Sequence, residues 1–378
     1  MVETKRLGDI ATYINGYAFK PDDWCKEGLP IVRIQDLTGT SYQQNYYKGD
    51  YPAKIEINDG DVLISWSASL GVHIWDRGKA LLNQHIFKVV FDKVEVDKQY
   101  FVYAVQYNLE NMLSKMHGAT MKHIVKKDFD NIEVPFPTLV EQKRVASILA
   151  YAKDAIEDRK QQLTKLDNLV KSRFVEMFGD PLLNDRGWPC KRIGDLFEVI
   201  SRGKQPTYVE HSTVRVINQA CVYWDRINMD NAKYHDNQSS KKMLPISEYS
   251  ILINSTGTGT LGRCNVFPEL RDDYVYVVDS HVTTLQESSE INAWFFKWFF
   301  QHNGIQAKIY SECVNGSTNQ IELSREKLSN AMMIVPPIEL QNQFAEFVIE
   351  TNKSKVAIQA ALDKTQLLFD SLMQEYFG

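Results

Sequence analysis

The sequence predicts an α/β (α+β) protein. In this fold, two mixed α/β domains are separated and held by two long helices that form an antiparallel coiled coil, with an internal pseudo-twofold repeat. Three observations support it: the chain repeats itself, each repeat ends in a long amphipathic stretch, and the rest mixes strand-like with helix-like runs. The 378 residues suffice for two ordinary domains plus connecting elements.

The internal repeat emerges when the chain is aligned with itself, a comparison that precedes any motif search. Residues 5–10 match residues 191–196 at an offset of 186, and residues 137–142 match residues 336–341 at an offset of 199. The second offset then holds to the last residue. The 13 extra residues of the second half therefore lie inside its globular part, as expected if fixed helices carry variable domains.

The globular parts combine short apolar runs with helical patterns. We predict strands near residues 29–34, 61–66, 86–91 and 132–136, with a turn at residues 58–60, and helices near residues 100–116 and 291–303. Because strands and helices do not alternate strictly, a doubly wound parallel sheet is not predicted.

Each globular part ends at prolines that precede a helix start, at 135 and 137 and again at 336 and 337. We therefore predict domains at residues 1–139 and 180–337, and helices at residues 140–179 and 338–378. Apolar residues alternately four and three apart predict a coiled-coil seam. That seam comprises Val145, Leu149, Ile156, Leu163, Leu166, Val170, Phe344, Val348, Ile358, Leu362, Phe369 and Leu372.

The two seams are interrupted by polar residues at different places. Arg159 corresponds to Ile358, and Ile156 corresponds to Lys355. Polar seam positions commonly specify register and partner, so the two helices are expected to pair with each other, antiparallel. From Val145 onward each helix is expected to be roughly 50 Å long.

Composition restricts the function classes. The formal net charge is −5, so no basic excess marks a non-specific nucleic-acid binder; DNA contact would use local patches or a partner's charge. No apolar run is long enough for a membrane span, and the first residues lack a signal core. Five scattered cysteines without a Cys-x-x-Cys pair favour reduced thiols in the cytoplasm and no metal site.

Motifs for catalysis are absent from the sequence. Residues 257–262 satisfy Gly-x-Gly-x-x-Gly, but the strand-like run at residues 263–268 predicts a hairpin loop instead of a dinucleotide site. No Walker loop, amino-methyltransferase tetrapeptide or nuclease motif is recognised. His85 and His281 occupy equivalent positions and are interpreted as hydrogen-bonded structural histidines.

The repeated segments together resemble the specificity subunits of type I restriction-modification enzymes. The resemblance covers the whole chain, and each segment becomes specific by occurring twice in order. One departure is Leu340, where the first half has Glu141. The carrying segments are residues 6–10 and 192–196, 16–20, 60–64, 83–86, 134–142 and 335–341.

The resemblance implies a division of labour. Each globular part would be a target recognition domain that reads one half of a bipartite, asymmetric double-stranded DNA sequence, and the helices would space the two domains. The chain would catalyse nothing and bind no cofactor. Two modification (methyltransferase) subunits would dock on it and carry S-adenosylmethionine, and restriction (motor-nuclease) subunits would join the complex.

Candidate DNA contacts are the hydrogen-bonding side chains in or beside loops that match between the halves. Lys126 and Lys127 are interpreted as phosphate contacts. The first-half candidates are Lys20, Arg33, Gln35, Ser67, Ser69, Gln84, Lys122, His123, Lys126 and Lys127. The second-half candidates are Arg202, Lys204, Gln219, Thr256, Thr258, Arg263, Asn319 and Gln320.

Two other functions remain open from the residues alone. One is a self-contained DNA methyltransferase or nuclease fused to its reader, which the absent motifs disfavour. The other is a two-domain DNA-binding regulatory scaffold that does not read a sequence.

Overall fold

The computed structural model describes residues 3–115, 124–237, 243–316 and 321–378. The chain divides into two compact units. Unit 1 comprises Met1–Lys160 with Ala360–Gly378, and unit 2 comprises Gln161–Gln359. Each unit therefore contains one globular part, half of the first long helix and half of the second.

Unit 1 contains two four-stranded sheets and a closing pair of strands. The sheet orders are β2-β9-β6-β7, entirely antiparallel, and β4-β3-β8-β5, in which β3 and β8 are parallel, while β1 pairs with β10. The strands are β1 (Thr4–Arg6), β2 (Thr12–Asn15), β3 (Leu29–Val32), β4 (Asn45–Tyr47), β5 (Glu56–Ile57), β6 (Val62–Ser65), β7 (Gly71–Ile74), β8 (Ala80–Leu82), β9 (Ile86–Val90) and β10 (Glu133–Pro135).

Unit 2 repeats this topology. Its sheets are β12-β19-β16-β17 and β13-β15-β14-β18, with β14 and β18 parallel; β11 pairs with β22, and a small extra pair joins β20 to β21. The strands are β11 (Cys190–Arg192), β12 (Val199–Arg202), β13 (Tyr208–Val209), β14 (Val214–Ile217), β15 (Lys233–His235), β16 (Ile251–Asn254), β17 (Cys264–Val266), β18 (Val275–Val278), β19 (Val282–Gln286), β20 (Val314–Asn315), β21 (Glu322–Leu323) and β22 (Met332–Ile334).

Most of the helices also correspond between the units, although α2 has no helical counterpart among the described residues of unit 2. Unit 1 contains α1 (Leu7–Ile10), α2 (Ile34–Thr38), α3 (Lys98–Lys115) and α4 (Lys126–Asp130), and unit 2 contains α6 (Ile193–Leu196), α7 (Ala293–Gln301), α8 (Asn303–Cys313) and α9 (Arg325–Asn330). The long helices are α5 (Leu139–Phe178) and α10 (Ile338–Phe377), and short 3₁₀ turns occupy Pro21–Asp23, Ala53–Ile55 and Met229–Asn231.

Two elements differ from the sequence prediction. The strand predicted at residues 29–34 ends at Val32, and Ile34 already begins α2. The helix predicted at residues 291–303 is confirmed as α7, but α8, which follows a break at the extended residue His302 (φ −62°, ψ 131°), was not predicted. The side chain of Gln306 donates to the carbonyl of Phe300 at 2.6 Å, which satisfies one of the carbonyls left open where α7 ends. The hairpin predicted around residues 257–262 is confirmed, since β16 and β17 pair antiparallel on either side of it.

Both long helices begin directly after the prolines, as predicted, and each has 40 residues, so each is about 60 Å long. Thr138 caps the first, because its Oγ1 accepts from the backbone N–H of Glu141 at 3.4 Å. The second has Pro337 at that position and Leu340 in place of Glu141. Its first turn still contains an acid, Glu339, which suits the positive end of the helix dipole.

Within unit 2 the two long helices run antiparallel. Lys355 of α10 forms an ion pair with Asp167 of α5, and further along α5 the guanidinium of Arg173 lies 6.0 Å from the ring of Phe347. Positions closer to the C-terminus of α5 therefore contact positions closer to the N-terminus of α10. In unit 1, Arg144 lies 5.9 Å from the ring of Tyr376, near the other ends of the helices. The predicted antiparallel pairing is confirmed within each unit.

Six of the twelve seam residues are buried and six are partly exposed. Val145, Leu149, Ile156, Val170, Phe344 and Val348 are fully buried, and Leu163, Leu166, Ile358, Leu362, Phe369 and Leu372 are partly exposed. Of the polar interruptions, Lys355 has its ion pair with Asp167, whereas Arg159 donates to the carbonyl of Ala155 on its own helix at 2.9 Å.

A buried glutamine ties each long helix to its globular part. Gln142, 1% exposed, accepts from the backbone N–H of Asp97 and donates to the carbonyl of Pro137, both at 2.9 Å. Gln341, fully buried, accepts from the N–H of Asn292 at 2.9 Å and donates to the carbonyls of Glu290 and Pro336. The glutamine clamp, as we call this arrangement, joins the start of a long helix to the start of α3 or α7.

Replacing Gln341 by alanine should destabilise unit 2 by about 3 kcal/mol, since one buried N–H and two carbonyls lose their partner. Urea unfolding measures this change. The control is Gln343→Ala two positions along the same helix, where the side chain is exposed and a change within about 0.5 kcal/mol is expected. Equal effects of the two substitutions would show that the clamp does not stabilise the unit.

Lys297 supplies a second test, because it is a buried cation in the core of unit 2. Its side chain is 4% exposed, with Nζ 5.5 Å and 5.3 Å from the rings of Trp294 and Trp298. Burial lowers the pKa of Lys297 to about 8. The unfolded chain, with a lysine pKa of about 10.4, therefore binds more protons between these values, and the free energy of unfolding rises with pH there.

Relative to Lys297→Met, the wild-type chain should gain about 3 kcal/mol of stability between pH 7 and pH 10.5. Urea unfolding of both proteins at several pH values measures the difference between their free energies of unfolding. The contributions of the other titrating groups cancel in that difference. Lys308→Met is the control, because Lys308 is exposed. A wild-type minus Lys297→Met difference that stays flat with pH would contradict the assigned role of burial.

Candidate nucleic-acid interface

In unit 2, several strand ends meet at one edge. Strand β19 runs antiparallel to both β12 and β16, so its start lies beside their ends, with Arg202 opposite Thr283 and Asn254 opposite Val282. The parallel strands β14 and β18 also end together, at Ile217 and Val278. The loops that follow these strands therefore share an edge. We call it the unit 2 edge and define it by Arg202, Gln219, Thr256, Ser280, His281 and Glu322.

Hydrogen bonds connect the side chains of the unit 2 edge. Thr256 Oγ1 lies 2.8 Å from His281 Nδ1 and 3.4 Å from Gln219 Oε1. The backbone N–H of His281 donates to the carboxylate of Asp279 at 2.8 Å. Burial raises the pKa of that carboxyl, which lies beneath the exposed imidazole. The edge thus presents a pre-ordered set of donors and acceptors.

Arg202 is the main cation of the unit 2 edge. Its guanidinium donates to the carbonyl of Ser280 and pairs with Glu322, which leaves other N–H groups available for a ligand. The arginine side chain is 28% exposed and the glutamate side chain 51%. An ion pair this exposed stabilises by at most about 1 kcal/mol, so an incoming phosphate or base edge can displace the carboxylate.

The glycine-rich turn after β16 projects beside this edge. Gly257 and Gly259 have φ of 95° and 80°, in the left-handed region that favours glycine, and Thr258 between them is exposed. Arg263 closes the turn by donating to the carbonyl of Gly259 at 3.2 Å. Its guanidinium lies 5.2 Å from the ring of Tyr223, and Nε is buried without a partner.

Unit 1 has an equivalent edge, which we call the unit 1 edge and define by Asn15, Trp66, Ser67, Ser69, Gln84 and His85. Trp66 Nε1 donates to Asn15 Oδ1 at 3.3 Å, and its ring centroid lies 4.9 Å from that of His85. His85 has a φ of 71°, unusual for a non-glycine residue, and its N-terminal neighbour Gln84 is exposed. This edge is more aromatic than its counterpart.

A further segment returns to each edge at the same place. The backbone N–H of Ile124 donates to the carbonyl of Trp66 at 3.1 Å, and that of Leu323 donates to the carbonyl of Ser255 at 2.8 Å. The predicted contacts Lys122, His123, Asn319 and Gln320 lie outside the described residues, in the chain segments that precede these two anchors.

Two first-half candidates lie in a separate groove of about 640 Å³, beside Trp24 and Tyr42. Arg33 is held there by Asp36 and by Ser41 Oγ at 2.9 Å, which fixes its guanidinium. Gln35 is exposed. This groove joins an aromatic surface to polar side chains, a combination suited to stacking and hydrogen bonding.

The remaining candidates lie on exposed surface. Lys20 and Lys204 are exposed, and so is Lys127. Lys126 forms an ion pair with Asp130 at 2.7 Å, with its ammonium 5.8 Å from the ring of Tyr13. The structure therefore joins Gln219 and Thr256 by a hydrogen bond and places Arg202 on the same edge, but it does not join Lys20, Lys126 or Lys127 to the edges.

Sequence reasoning missed several members of the edges: Asn15, Trp66, Ser280 and Glu322, and the surface role of His281. The repeat could have marked the two histidines His85 and His281 as edge residues, since both follow an equivalent strand. Nothing in the local pattern marks Glu322 as the partner of Arg202, 120 residues away.

No group of three His, Cys, Asp or Glu side chains arranged to hold a metal ion occurs in the part of the chain that the structure describes. Among the same residues, no helix is both long and apolar enough to cross a membrane.

The chain thus contains two similar α/β units, each with a polar edge made of strand-end loops and each tied to a pair of antiparallel helices. The model of the type I restriction modification DNA specificity domain matches residues 1–167 and again 185–364. The chain belongs to this family. The two matches coincide with the two halves of the repeat.

Curated relatives agree with this assignment. The chain is 27% identical over 168 residues to the EcoBI specificity subunit of Escherichia coli, covering 44% of this chain and 35% of that protein. It is 22% identical over 311 residues to the MjaIX specificity subunit of Methanocaldococcus jannaschii, covering 76% and 70%. For the MjaVIII specificity subunit of the same organism, the match is 26% over 201 residues, 52% of this chain and 46% of that protein. The match thus spans between about a third and a half of the EcoBI and MjaVIII proteins.

Solved structures share the fold. The S subunit of a type I restriction-modification system from M. genitalium matches with a TM-score of 0.59 at 15% identity, covering 100% of this chain and 96% of that one. A chain from a structure of type I system assembly and conformational transition matches with a TM-score of 0.56 at 14% identity, covering 99% and 97%.

Proposed function

We propose that this chain is the non-catalytic DNA sequence-specificity subunit of a type I restriction-modification complex and that it recognises a bipartite, asymmetric target. The observation that carries the proposal is the pair of equivalent polar edges, built on one framework from different side chains. Two readers of the same shape and different chemistry suit two different half-sites. Membership of the DNA specificity family supports the same function.

The division of labour follows the repeat. Residues 1–139 and 180–337 are the target recognition domains, and residues 140–179 and 338–378 are the spacer helices, paired along the seam predicted above. A helix of about 60 Å corresponds to roughly 18 base pairs of duplex at 3.4 Å per pair, so the two domains can read half-sites separated by unread sequence.

The edges provide the chemistry for base reading. Gln219, Thr256 and Gln84 offer the amide and hydroxyl groups that recognise base edges in the major groove, and Arg202 suits a guanine once it leaves Glu322. Lys126 and Lys127 contribute phosphate contacts. The other residues predicted from the sequence complete the proposed contact set, including the four that precede the anchors Ile124 and Leu323.

Partners complete the complex. With a formal net charge of −5, the chain needs other subunits to neutralise much of the DNA backbone. Two modification subunits, one for each half of the repeat, dock on the chain and bind S-adenosylmethionine for methyl transfer, and restriction subunits join them. The chain itself binds no cofactor.

Selection of bound sequences from random double-stranded DNA tests the function. The chain, assembled with the modification subunit of its own genome, should enrich two short motifs at a fixed separation. Failure to enrich any motif would favour a regulatory scaffold and overturn the proposal. Incubation of the chain alone with DNA and labelled S-adenosylmethionine is the second arm, where methyl transfer would instead reveal a self-contained enzyme.

Substituting one edge should alter one half-site only. Gln219→Ala in unit 2 should lower affinity for the cognate sequence about 10- to 100-fold and relax one position of one half-site, since a lost base contact costs about 1–3 kcal/mol. The same selection experiment measures this. Gln84→Ala in unit 1 is the matched variant and should relax the other half-site. If both variants relaxed the same half-site, the assignment of one reader to each unit would be wrong.

A further inference from the structure

The unit 2 edge contains a histidine, His281, whose two ring nitrogens have different surroundings. The residue is exposed, and its Nδ1 lies 2.8 Å from Thr256 Oγ1. Within the described part of the chain, Nε2 has no hydrogen-bond partner. Nε2 is therefore the ring nitrogen that a ligand on this edge can use. Whether it donates or accepts depends on which nitrogen of the neutral ring carries the proton.

Backbone and buried side-chain contacts hold the loops of this edge together. The N–H of Ser255 donates to the carbonyl of His281 at 2.8 Å, and the N–H of His281 donates to the carboxylate of Asp279 at 2.8 Å. The side chain of Asn254, fully buried, donates to the carbonyl of Gln219 at 3.0 Å. The loops that carry the edge residues are thus fixed in relation to one another.

Thr256 bridges His281 and Gln219 with one hydroxyl. Its Oγ1 lies 2.8 Å from His281 Nδ1 and 3.4 Å from Gln219 Oε1. A hydroxyl has one proton to donate, and an amide oxygen can only accept. Both contacts are therefore hydrogen bonds only if Thr256 donates to Gln219 and accepts from Nδ1–H of His281. We call this directed chain of three side chains the histidine relay.

The histidine relay fixes the chemistry that the edge presents to a ligand. With the proton on Nδ1, Nε2 of His281 has a free lone pair and accepts a hydrogen bond. Gln219 turns its oxygen to Thr256, and its amide N–H groups have no partner within the described part of the chain. The relay thus ends in an acceptor on one side and a donor on the other. Because both side chains contact the same hydroxyl, the two ends lie close together.

An acceptor beside a donor matches one base in the major groove. Adenine presents its N6 amino group, a donor, next to N7, an acceptor. Guanine presents two acceptors, O6 and N7, so it would place an acceptor against Nε2 of His281. Cytosine and thymine each present one hydrogen-bonding group there and cannot use both ends of the relay. The chemistry of the relay therefore selects adenine.

We propose that His281 and Gln219 together read one adenine of the half-site recognised by unit 2. Nε2 of His281 accepts from the N6 amino group, the amide of Gln219 donates to N7, and Thr256 positions both side chains. This inference rests on the proposed function, in which the edge reads base sequence. It adds His281 as a specificity-determining residue and names the base that the pair recognises.

The expectation applies to one half-site only. In unit 1 the equivalent histidine, His85, has its Nδ1 buried without a partner, and its ring lies against Trp66 with the centroids 4.9 Å apart. No hydroxyl fixes the proton of that ring among the described residues. The unit 1 edge therefore carries no relay of this kind.

Two replacements of His281 separate base reading from a structural role. Asparagine places its amide near the position of Nδ1 and can keep the bond to Thr256, whereas glutamine reaches the position of Nε2 and can keep the contact to a base. The chain, assembled with the modification subunit of its own genome, is used to select bound sequences from random double-stranded DNA. The wild type should enrich an adenine at the position that Gln219→Ala relaxes. His281→Asn should relax the same position, and His281→Gln should retain more of the adenine preference.

Other results of this selection would overturn the inference. Equal effects of the two replacements, or a larger loss in His281→Gln, would assign His281 a structural role. A guanine at the position would show that Nε2 donates and that the relay does not run as proposed.

Changes of single groups in the DNA identify the two contacts. Purine lacks the N6 amino group, and 7-deazaadenine lacks N7. Each base, placed at the selected position, should weaken binding of the wild-type complex about 10-fold, as measured by fluorescence anisotropy. Purine should weaken His281→Asn no further, and 7-deazaadenine should weaken Gln219→Ala no further, because the contact is already lost. Fully additive losses in both combinations would overturn the assigned contacts.

His211→Asn is the matched control. His211 is exposed and precedes the start of β14, whereas the unit 2 edge follows the end of that strand. This variant should keep the selected motif and an affinity within about twofold of the wild type. A loss equal to that of His281→Asn would overturn the inference. If the wild-type complex enriched no motif, the proposed function itself would fail. If it enriched a motif that His281→Asn left unchanged, only the present inference would fail.

Discussion

The glutamine clamp is the constraint on which the rest of the structure depends. A long helix keeps a fixed direction relative to its globular part only if its start is tied to that part. Gln142 and Gln341 provide this by joining the first turn of a long helix to the residue just before α3 or α7. Since each amide is buried and hydrogen-bonded through both its oxygen and its nitrogen, rotation of the helix would leave several polar groups without partners, and the geometry is held.

Around this constraint the two units keep the framework and change the surface. The strand pairings that close each unit, β1 with β10 and β11 with β22, are the same, and so is the anchoring of the segment that returns to each edge. What differs is chemistry: Trp66 and His85 form an aromatic contact at one edge, while Thr256 and His281 share a hydrogen bond at the other. The two edges therefore present different chemistry on one framework, as the proposed recognition of two different half-sites requires.

The framework was largely predictable because it rests on local signals. Prolines before a helix start, a 3.5-residue apolar period and a repeated offset gave the long helices and their antiparallel pairing. Helix α8 was not predicted, because the polar run at residues 301–304 interrupts the apolar pattern, and the cap at Phe300 comes from a side chain six residues on. The edges were predicted only in part, since Gln219 and Thr256 lie in matched loops while Glu322 joins them through a distant strand.

The sequence by itself therefore determined the duplication, the spacer helices and the family, because periodicity and repetition are properties of the chain order. Tertiary structure alone decided which side chains share an edge and which cations are already paired. The reason is physical: Arg202 and Glu322, or Tyr107 and Gln374, are far apart in sequence, and only the packing of sheets and helices brings their polar atoms within bonding distance.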